Sequence, residues 1–566
     1  MRRSRSGTSW WRPVLTIVVP VLLSTAAAVT VLIKVLAPGT AQERLDTIRT
    51  GLAIGAGIGA LITLALALRR QHATEHDATE RRLTELYVKA VDQLGSDKAA
   101  VRHGGFYALE RVAQDNPAHR QTIVDVICAY LRSPYTPPRA PGTSKLGGLR
   151  APLRPGWARP LPDAVPDTTP KDADQEARQE REVRLTAQRI LRDHLQPRSL
   201  VRTWMRWFPR PAHTFWPGID LDLTDATLID FDLTNATIRT ARFDRARFTG
   251  NAKFGEVRFT GDTGFRKAQF SSIAWFDNAR FGGDTSFSEA RFTGDTWFDD
   301  ALFTGDTWFD NARFGGDTSF SEARFTGDTW FDNALFTGDT SFNEAQFGGN
   351  TSFNEARFTG DTRFSQAQFG GNTSFNEARF TGDTWFDEAR FTGDTWFDDA
   401  RFTGDTWFDN ARFGGNTSFS EARFTGDTRF SQAQFGGDTR FSQAQFGGNT
   451  SFNEARFTGD TRFSQAQFGG DTSFNEAQFG GNTWFDEARF TGHTRFSQAQ
   501  FSSIAWWNQA RFGGDTSFRE ARFGGDTSFR QVQFNSTTWF DGARFNNAVP
   551  NEVNRYLPSD QGGTST

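Results

Sequence analysis

Catalysis in a chain of this length needs a nucleophile beside a base, paired carboxylates, or a set of metal ligands, and none of these stands out. The chain has 566 residues, 67 Asp and Glu, seven His and one cysteine. The histidines are scattered with no nucleophile spaced to partner them. His103 and His119 have no second ligand at i+4, so they read as surface histidines rather than zinc ligands. Cys128, in IVDVICAYLR, reads as a core residue of a helix, and a lone cysteine excludes an intramolecular disulfide framework. No phosphate-binding glycine loop precedes a helix. The carboxylates recur at a fixed spacing, which marks them as architecture. The sequence therefore predicts neither an enzyme nor a bound cofactor or metal. The chemistry left is recognition, and its candidates are residues that vary inside a constant frame. In units such as FTGDTWFDNAR the residue before the second Phe changes from unit to unit. It is Trp297, Trp308, Trp330, Trp385, Trp396, Trp407 and Trp484 in some, and Ser or Arg363, Arg429, Arg440, Arg462 and Arg495 in others. Exposed aromatic ladders of this kind suit a binding surface.

The frame that positions them is set by phenylalanine. From Phe248 to Phe545 a Phe stands at every eleventh position, without insertion or deletion, and a second aromatic follows at the sixth position after each. Trp507 takes that second place once. A large apolar residue every five or six positions fits neither a 3.6-residue helix nor a two-residue strand alternation. It fits a chain that turns a corner once per unit and points one side chain inward each time. The small residue two places before each aromatic, Ala in ARF and Thr in DTWF, would sit inward beside it. The Gly-Asp, Gly-Gly and Gly-Asn pairs are expected to supply the corner conformations. Periods of nine (calcium-binding rolls) and six (left-handed hexapeptide helices) do not match eleven, and the Leu and Asn pattern of a leucine-rich repeat is missing.

Upstream the period is five, with Leu223, Leu228, Leu233, Ile238, Phe243 and Phe248 in series and Ala226, Ala236, Ala241 and Ala246 two places before the large residue. This stretch, DLTDATLIDFDLTNATIRTARFDRARF, resembles the pentapeptide-repeat family, and the eleven-residue units are similar to its Phe-rich variant. The resemblance implies an all-β, right-handed quadrilateral β-solenoid over 221–547 in which two eleven-residue units make one turn. At ~4.8 Å between stacked strands the rod would be roughly 65 Å long. Outward residues two units apart would then stack on one face.

The N-terminal part sets location. Residues 14–36 and 51–68 are apolar runs near the roughly 20 residues that cross a bilayer, so residues 1–73 read as a membrane anchor with two transmembrane helices. Arg2, Arg3, Arg5 and Arg12 precede the first run and Arg69, Arg70, Arg81 and Arg82 follow the second, which predicts both flanks on the cytoplasmic side. Gly51, Gly55 and Gly59 share one helix face and are expected to pack on the first span. Residues 74–132 read as a helical module with an apolar stripe of Leu83, Leu86, Tyr87, Ala90, Val91 and Leu94. This module resembles the helical lead-in of membrane-anchored actinobacterial pentapeptide-repeat proteins. A Pro-rich linker follows at 133–174. A polar helix and an aromatic run at 175–220 lead into the solenoid, the aromatic run being placed to close the first coil. A polar tail occupies 548–566.

Formal charge splits at the same place: residues 1–220 sum to +12 and residues 221–566 to −16. The expected partners are the lipid bilayer through residues 14–68 and an unidentified protein on the solenoid, with homo-oligomerisation open. No nucleic acid partner is expected. The resemblance also implies a second reading, a DNA mimic that binds type II topoisomerase (gyrase). Duplex DNA, however, carries a charge every ~1.7 Å, several times denser than this rod. The scaffold reading is favoured, with residues 292–412 as the recognition surface because Asp and Trp coincide there.

Overall fold

The computed structural model describes residues 11–36, 39–137, 170–197 and 214–557. Two units are distinguished, residues 1–92 and 93–566.

In the first unit, α1 (Trp11–Leu36) and the greater part of α2 (Ala41–Leu94) form a hairpin. Gly51 and Gly55 of α2 face α1 as their spacing suggests: a Cβ added at Gly51 would lie 2.5 Å from Val29 Cγ2, and one at Gly55 2.4 Å from Thr25 Cγ2. The sequence predicts two membrane spans, and the described residues contain one helical segment long and apolar enough to cross a membrane, Ala41–Ala65; the apolar part of α1 is the shorter Thr25–Val35. The second helix starts well before the apolar run because Thr40 and Glu43 form a capping box. Glu43 N–H donates to Thr40 Oγ1 at 3.4 Å, and Gly39 and Thr40 N–H donate to Glu43 Oε2 at 3.1 and 3.4 Å. It then continues past residue 73 without a break, since 69–94 contains neither Gly nor Pro.

In the second unit, α3 (Ala99–Asp115), α4 (Arg120–Arg132) and α5 (Pro170–Leu195) pack around Phe106, Leu109, Ile123, Ile127, Leu131, Val183, Ile190 and Leu191, all buried. Cys128 belongs to this core, where burial pushes its thiol up to about 12. The helices cap the solenoid. Gln188 donates to Ile229 O at 2.7 Å and accepts Ile229 N–H at 2.9 Å. Gln121 does the same for Asp220, 2.9 Å each way, and Gln196 Nε2 donates to Thr234 O at 2.7 Å. Three glutamines thus satisfy backbone groups that an open strand edge would leave for another chain. Of the aromatic run expected to close this end, 198–213 lie outside the described residues. Trp216 is buried, stacked on His194 at 3.9 Å.

From Leu221 to Phe545 the chain forms a β-solenoid of the right-handed type with four parallel sheets of 15, 15, 14 and 15 strands, most of them two residues long. Numbered along the chain, the first face runs through Thr263–Gly264, the second through Gln269–Phe270, the third through Ala274–Trp275 and the fourth through Arg280–Phe281. The turn lengthens as the sequence period does. Leu221 pairs with Ala241, Ile238 with Phe259 and Ala241 with Thr263, and every later pair, such as Thr285 with Thr307, keeps this last, longest separation. Four columns of Phe fill the bore. Within a column the rings stack, Phe331 on Phe353 at 4.7 Å and 1°; between columns they meet edge to face, Phe331 against Phe342 at 5.5 Å and 84°. The Phe rings of the middle coils are at most 2% exposed. At the far end Val553 is buried and Tyr556 covers Phe534 and Phe540.

Glycine plays a different part from the one expected. The left-handed corner is taken by Glu, Asn, Gln or Asp in all eleven-residue units but those of Lys267 and Gly542, for example by Glu377 at φ 58° and Asn333 at φ 57°. Apart from Gly250 and Gly542 at the rod's ends, the repeat glycines have ordinary φ and instead sit against the coil below: a Cβ on Gly360 would lie 2.5 Å from Gly338 O. Identical backbones stacked ~4.8 Å apart leave no room there for a side chain. Serine enters these rows at 272, 503 and 536, near the rod's ends.

These contacts make glycine and the corner residues respond oppositely to substitution. Gly360→Ala should destabilise the rod by about 1–3 kcal/mol through overpacking, whereas Glu377→Gly should stabilise it by up to about 1 kcal/mol by relieving a left-handed side chain. Equal shifts in their denaturation midpoints would contradict this division of labour. Gln188→Ala should cost about 1–3 kcal/mol by orphaning the Ile229 backbone groups, with hydrogen exchange accelerating in 221–242 before the mid-rod. Uniform exchange would show that the helices do not act as a cap.

Candidate functional site

The wall of the rod is a set of columns, because parallel in-register pairing places each outward residue above its counterpart in the preceding coil. On the first face the column reads Ser286, Trp308, Trp330, Ser352, Ser374, Trp396, Ser418, Arg440, Arg462, Trp484, Trp506. On the third it reads Lys253, Trp275, Trp297, Ser319, Ser341, Arg363, Trp385, Trp407, Arg429. The sequence-derived candidates therefore divide: Trp308, Trp330 and Trp396 are on one face, and Trp297, Trp385 and Trp407 are on the opposite one. They form two surfaces. Trp308 stacks on Trp330 at 5.3 Å and 4°, Trp385 on Trp407 at 5.0 Å and 5°. Trp275, which the 292–412 window excludes, stacks on Trp297 at 5.8 Å and 25°. All of these rings are half-buried, since each lies on its neighbour; Trp506 is exposed.

Aspartates flank Trp297, Trp308, Trp330, Trp385, Trp396 and Trp407 on both sides. On the leading edge they accept the backbone N–H of the next coil: Asp306 N–H donates to Asp284 Oδ1 at 3.1 Å, and Asp328 N–H to Asp306 Oδ1 at 3.0 Å. On the trailing edge an aspartate follows the second Phe. Where Ser occupies the outward place one coil on, its hydroxyl donates to that carboxylate, as Ser352 does to Asp332. At two places where Trp stands there instead, Trp330 relative to Asp310 and Trp297 relative to Asp277, Oδ1 is buried with no hydrogen-bond partner, whereas Asp387, with Trp407 one coil on, still accepts the Asp409 N–H at 3.1 Å. Burial, then the next aspartate in the column, raises these acids. Asp277 and Asp387 are pushed up to about 6, and Asp310 is raised as well.

The chain supplies its own cations to several rings. The Arg363 guanidinium lies 4.9 Å from the Trp385 ring centre, Arg462 4.6 Å from Trp484, Arg519 4.8 Å from Trp539, and the Lys253 ammonium 5.7 Å from Trp275. Sequence reasoning missed the second and fourth faces as recognition candidates. The residue before the first Phe of each unit also points outward there, and it is Arg, Gln or Leu throughout; Arg357, Arg379, Arg401 and Arg423 are four successive exposed rungs. The signal lies in the alternation of ARF, AQF and ALF, which varies as the position before the second Phe does. Among the described residues no three His, Cys, Asp or Glu are grouped to hold a metal ion.

A four-sided coil of stacked Phe whose variation is concentrated at its outer positions defines a repeat protein of the β-solenoid class. The chain belongs to the pentapeptide-repeat family: the family model for pentapeptide repeats matches nine copies over 243–500 and 508–549, more than half of its length. No curated protein and no solved structure matches it.

The half-buried aspartates give a signed pH dependence. A carboxyl held near 6 when folded and near ~3.9 when unfolded binds its proton more tightly in the fold, so its contribution to stability falls as pH rises from about 4 to 6. Asp277→Asn and Asp387→Asn install the amide that Asn354 and Asn376 already carry at sister positions. Each should stabilise the protein at neutral pH by on the order of 1 kcal/mol, allowing for solvent screening. The gain should vanish below about pH 4; a gain that persists there would contradict it.

Proposed function

We propose that this protein is a non-catalytic scaffold, tethered to the membrane through its N-terminal helices, whose solenoid presents the tryptophan and aspartate columns to a protein partner on the cytoplasmic side. The observation that carries the reading is the contrast between an invariant interior and a patterned exterior. Phe, Ala and Thr repeat inside the coils of the mid-rod, while Trp, Ser and Arg alternate outside on the same backbone. Rigid, paired indoles bracketed by carboxylates offer contact area with little entropy to lose, and the charge orients a basic partner and speeds its approach.

The tether is supported by the apolar segment Ala41–Ala65, and the cytoplasmic orientation by the arginines that flank the apolar runs. The DNA-mimic reading has less support, because the second and fourth faces are lined with arginine and glutamine where a mimic needs acid. With two opposite tryptophan faces, the rod has two patches to offer.

Replacing Trp308, Trp330, Trp385 and Trp407 by Ser, which the same columns already accept at Ser286 and Ser319, should leave the fold intact and abolish retention of partners captured by the parent protein. Retention unchanged at both low and moderate salt would move the interaction surface elsewhere.

A further inference from the structure

We infer that the shelf above Ser286, beneath the ring of Trp308 on the first face, is a binding site for an arginine side chain of the partner protein. The inference deepens the scaffold reading and rests on it. It starts from an arrangement that the wall repeats: an outward residue, an aspartate two residues before it, and a tryptophan one coil above. At Arg363 the guanidinium lies under Trp385 at 4.9 Å and 4.0 Å from Asp361. At Arg462 it lies under Trp484 at 4.6 Å and 3.8 Å from Asp460. Twice, then, the fold builds a pocket of indole and carboxylate and fills it with its own arginine.

At Asp284, Ser286 and Trp308 the frame is the same, with Ser286 paired directly to Trp308, but the outward residue is a buried serine. Asp284 is exposed, accepts the Asp306 N–H at 3.1 Å, and makes no ion pair among the described residues. No described cation lies over the Trp308 ring. Ser286 Oγ is engaged by Ser288 Oγ at 3.1 Å and by Arg266 of the coil below, exposed at the trailing edge, whose Nε donates to it at 3.2 Å. Asp306, Asp310, Asp328 and Asp332 extend the negative potential along both edges of the Trp308–Trp330 stack, which favours a cation arriving from outside. Arginine suits the shelf better than lysine because a planar guanidinium can stack on an indole and bond a carboxylate at once.

Other tryptophans lack one part of this set. Trp396 stands above Ser374, but Asn372 replaces the aspartate. Trp385 and Trp484 are already occupied from below, and Trp539 carries Arg519.

The test uses solubilised full-length protein labelled with fluorotryptophan, the Trp308 fluorine resonance being assigned by its loss in Trp308→Ser. The probe is the peptide Ac-Gly-Arg-Gly-NH2, with its uncharged citrulline counterpart as control. The Trp308 resonance should shift with the arginine peptide and not with the citrulline one, and the shift should persist in Arg266→Gln. Ser286→Arg fills the shelf with the chain's own guanidinium while leaving Asp284 and Trp308 in place, and it should abolish the response. Arg363→Ser empties the sister pocket, and the Trp385 resonance should then begin to respond. A Trp308 resonance that ignores the arginine peptide, or one that still responds in Ser286→Arg, overturns the inference. If that happens while the four-tryptophan variant still loses its partner, the scaffold reading stands and the arginine site alone falls.

Discussion

The structure depends on one contact: a phenylalanine ring lying flat on the ring one coil below. Rings stack at 4.7 Å in the mid-rod, close to the ~4.8 Å between hydrogen-bonded strands, so side chains and backbone ask for the same rise. Edge-to-face contacts between columns let the four stacks fill the bore, and such aromatic pairs add about 0.5–1.5 kcal/mol beyond the area they bury. A change of register by one residue would bring outward residues into the bore at every rung. Insertions are accordingly absent from the eleven-residue units.

In-register stacking has consequences that a globular core does not impose. Whatever stands at a position is repeated in space, so a demand met once must be met in every coil. Glycine recurs where backbones meet, and an aspartate or asparagine oxygen recurs where the next coil's N–H turns out at the leading corner, with His493 Nδ1 in that role once. Repetition also concentrates charge, and carboxylates stack along the leading edge. Asparagine breaks the column at Asn350, Asn372 and Asn416 on the first face, keeping the acceptor while removing a charge. Where indoles cover the trailing carboxylates, the cost appears as acids held near 6. The same geometry that repeats a cost repeats an opportunity, since one tryptophan per coil becomes a stack with a carboxylate on each side.

Much of this is legible in the sequence because the period survives in plain view. The six-five alternation of Phe248, Phe254 and Phe259 implies one inward residue per side, and the Leu223 to Phe248 series implies the shorter first turn. What stays hidden depends on contacts between coils or on partners distant in the chain. Glycine is read from sequence as a corner residue, and its real constraint, the carbonyl of the equivalent glycine one coil earlier, shows only when coils are stacked. Gln188 looks like any polar helical residue until Ile229 is beside it. The division of the tryptophans between opposite faces follows from whether one unit or two separate them, yet a window chosen by local composition, 292–412, merges the two sets. The helix start at Ala41 is written in Thr40 and Glu43 but lies outside the apolar run that draws attention.

This frame, with two eleven-residue units to each turn, fixes where each outward residue points. The most direct measurement is electron paramagnetic resonance on spin labels placed at Ser319 and Ser341, or at Ser341 and Ser352, after Cys substitution; Cys128 is buried and should stay unlabelled. Ser319 and Ser341 are register partners on the third face, while Ser352 is on the first. Strong dipolar broadening is expected for the first pair and none for the second. Similar spectra from the two pairs, or broadening only between Ser341 and Ser352, would contradict this frame.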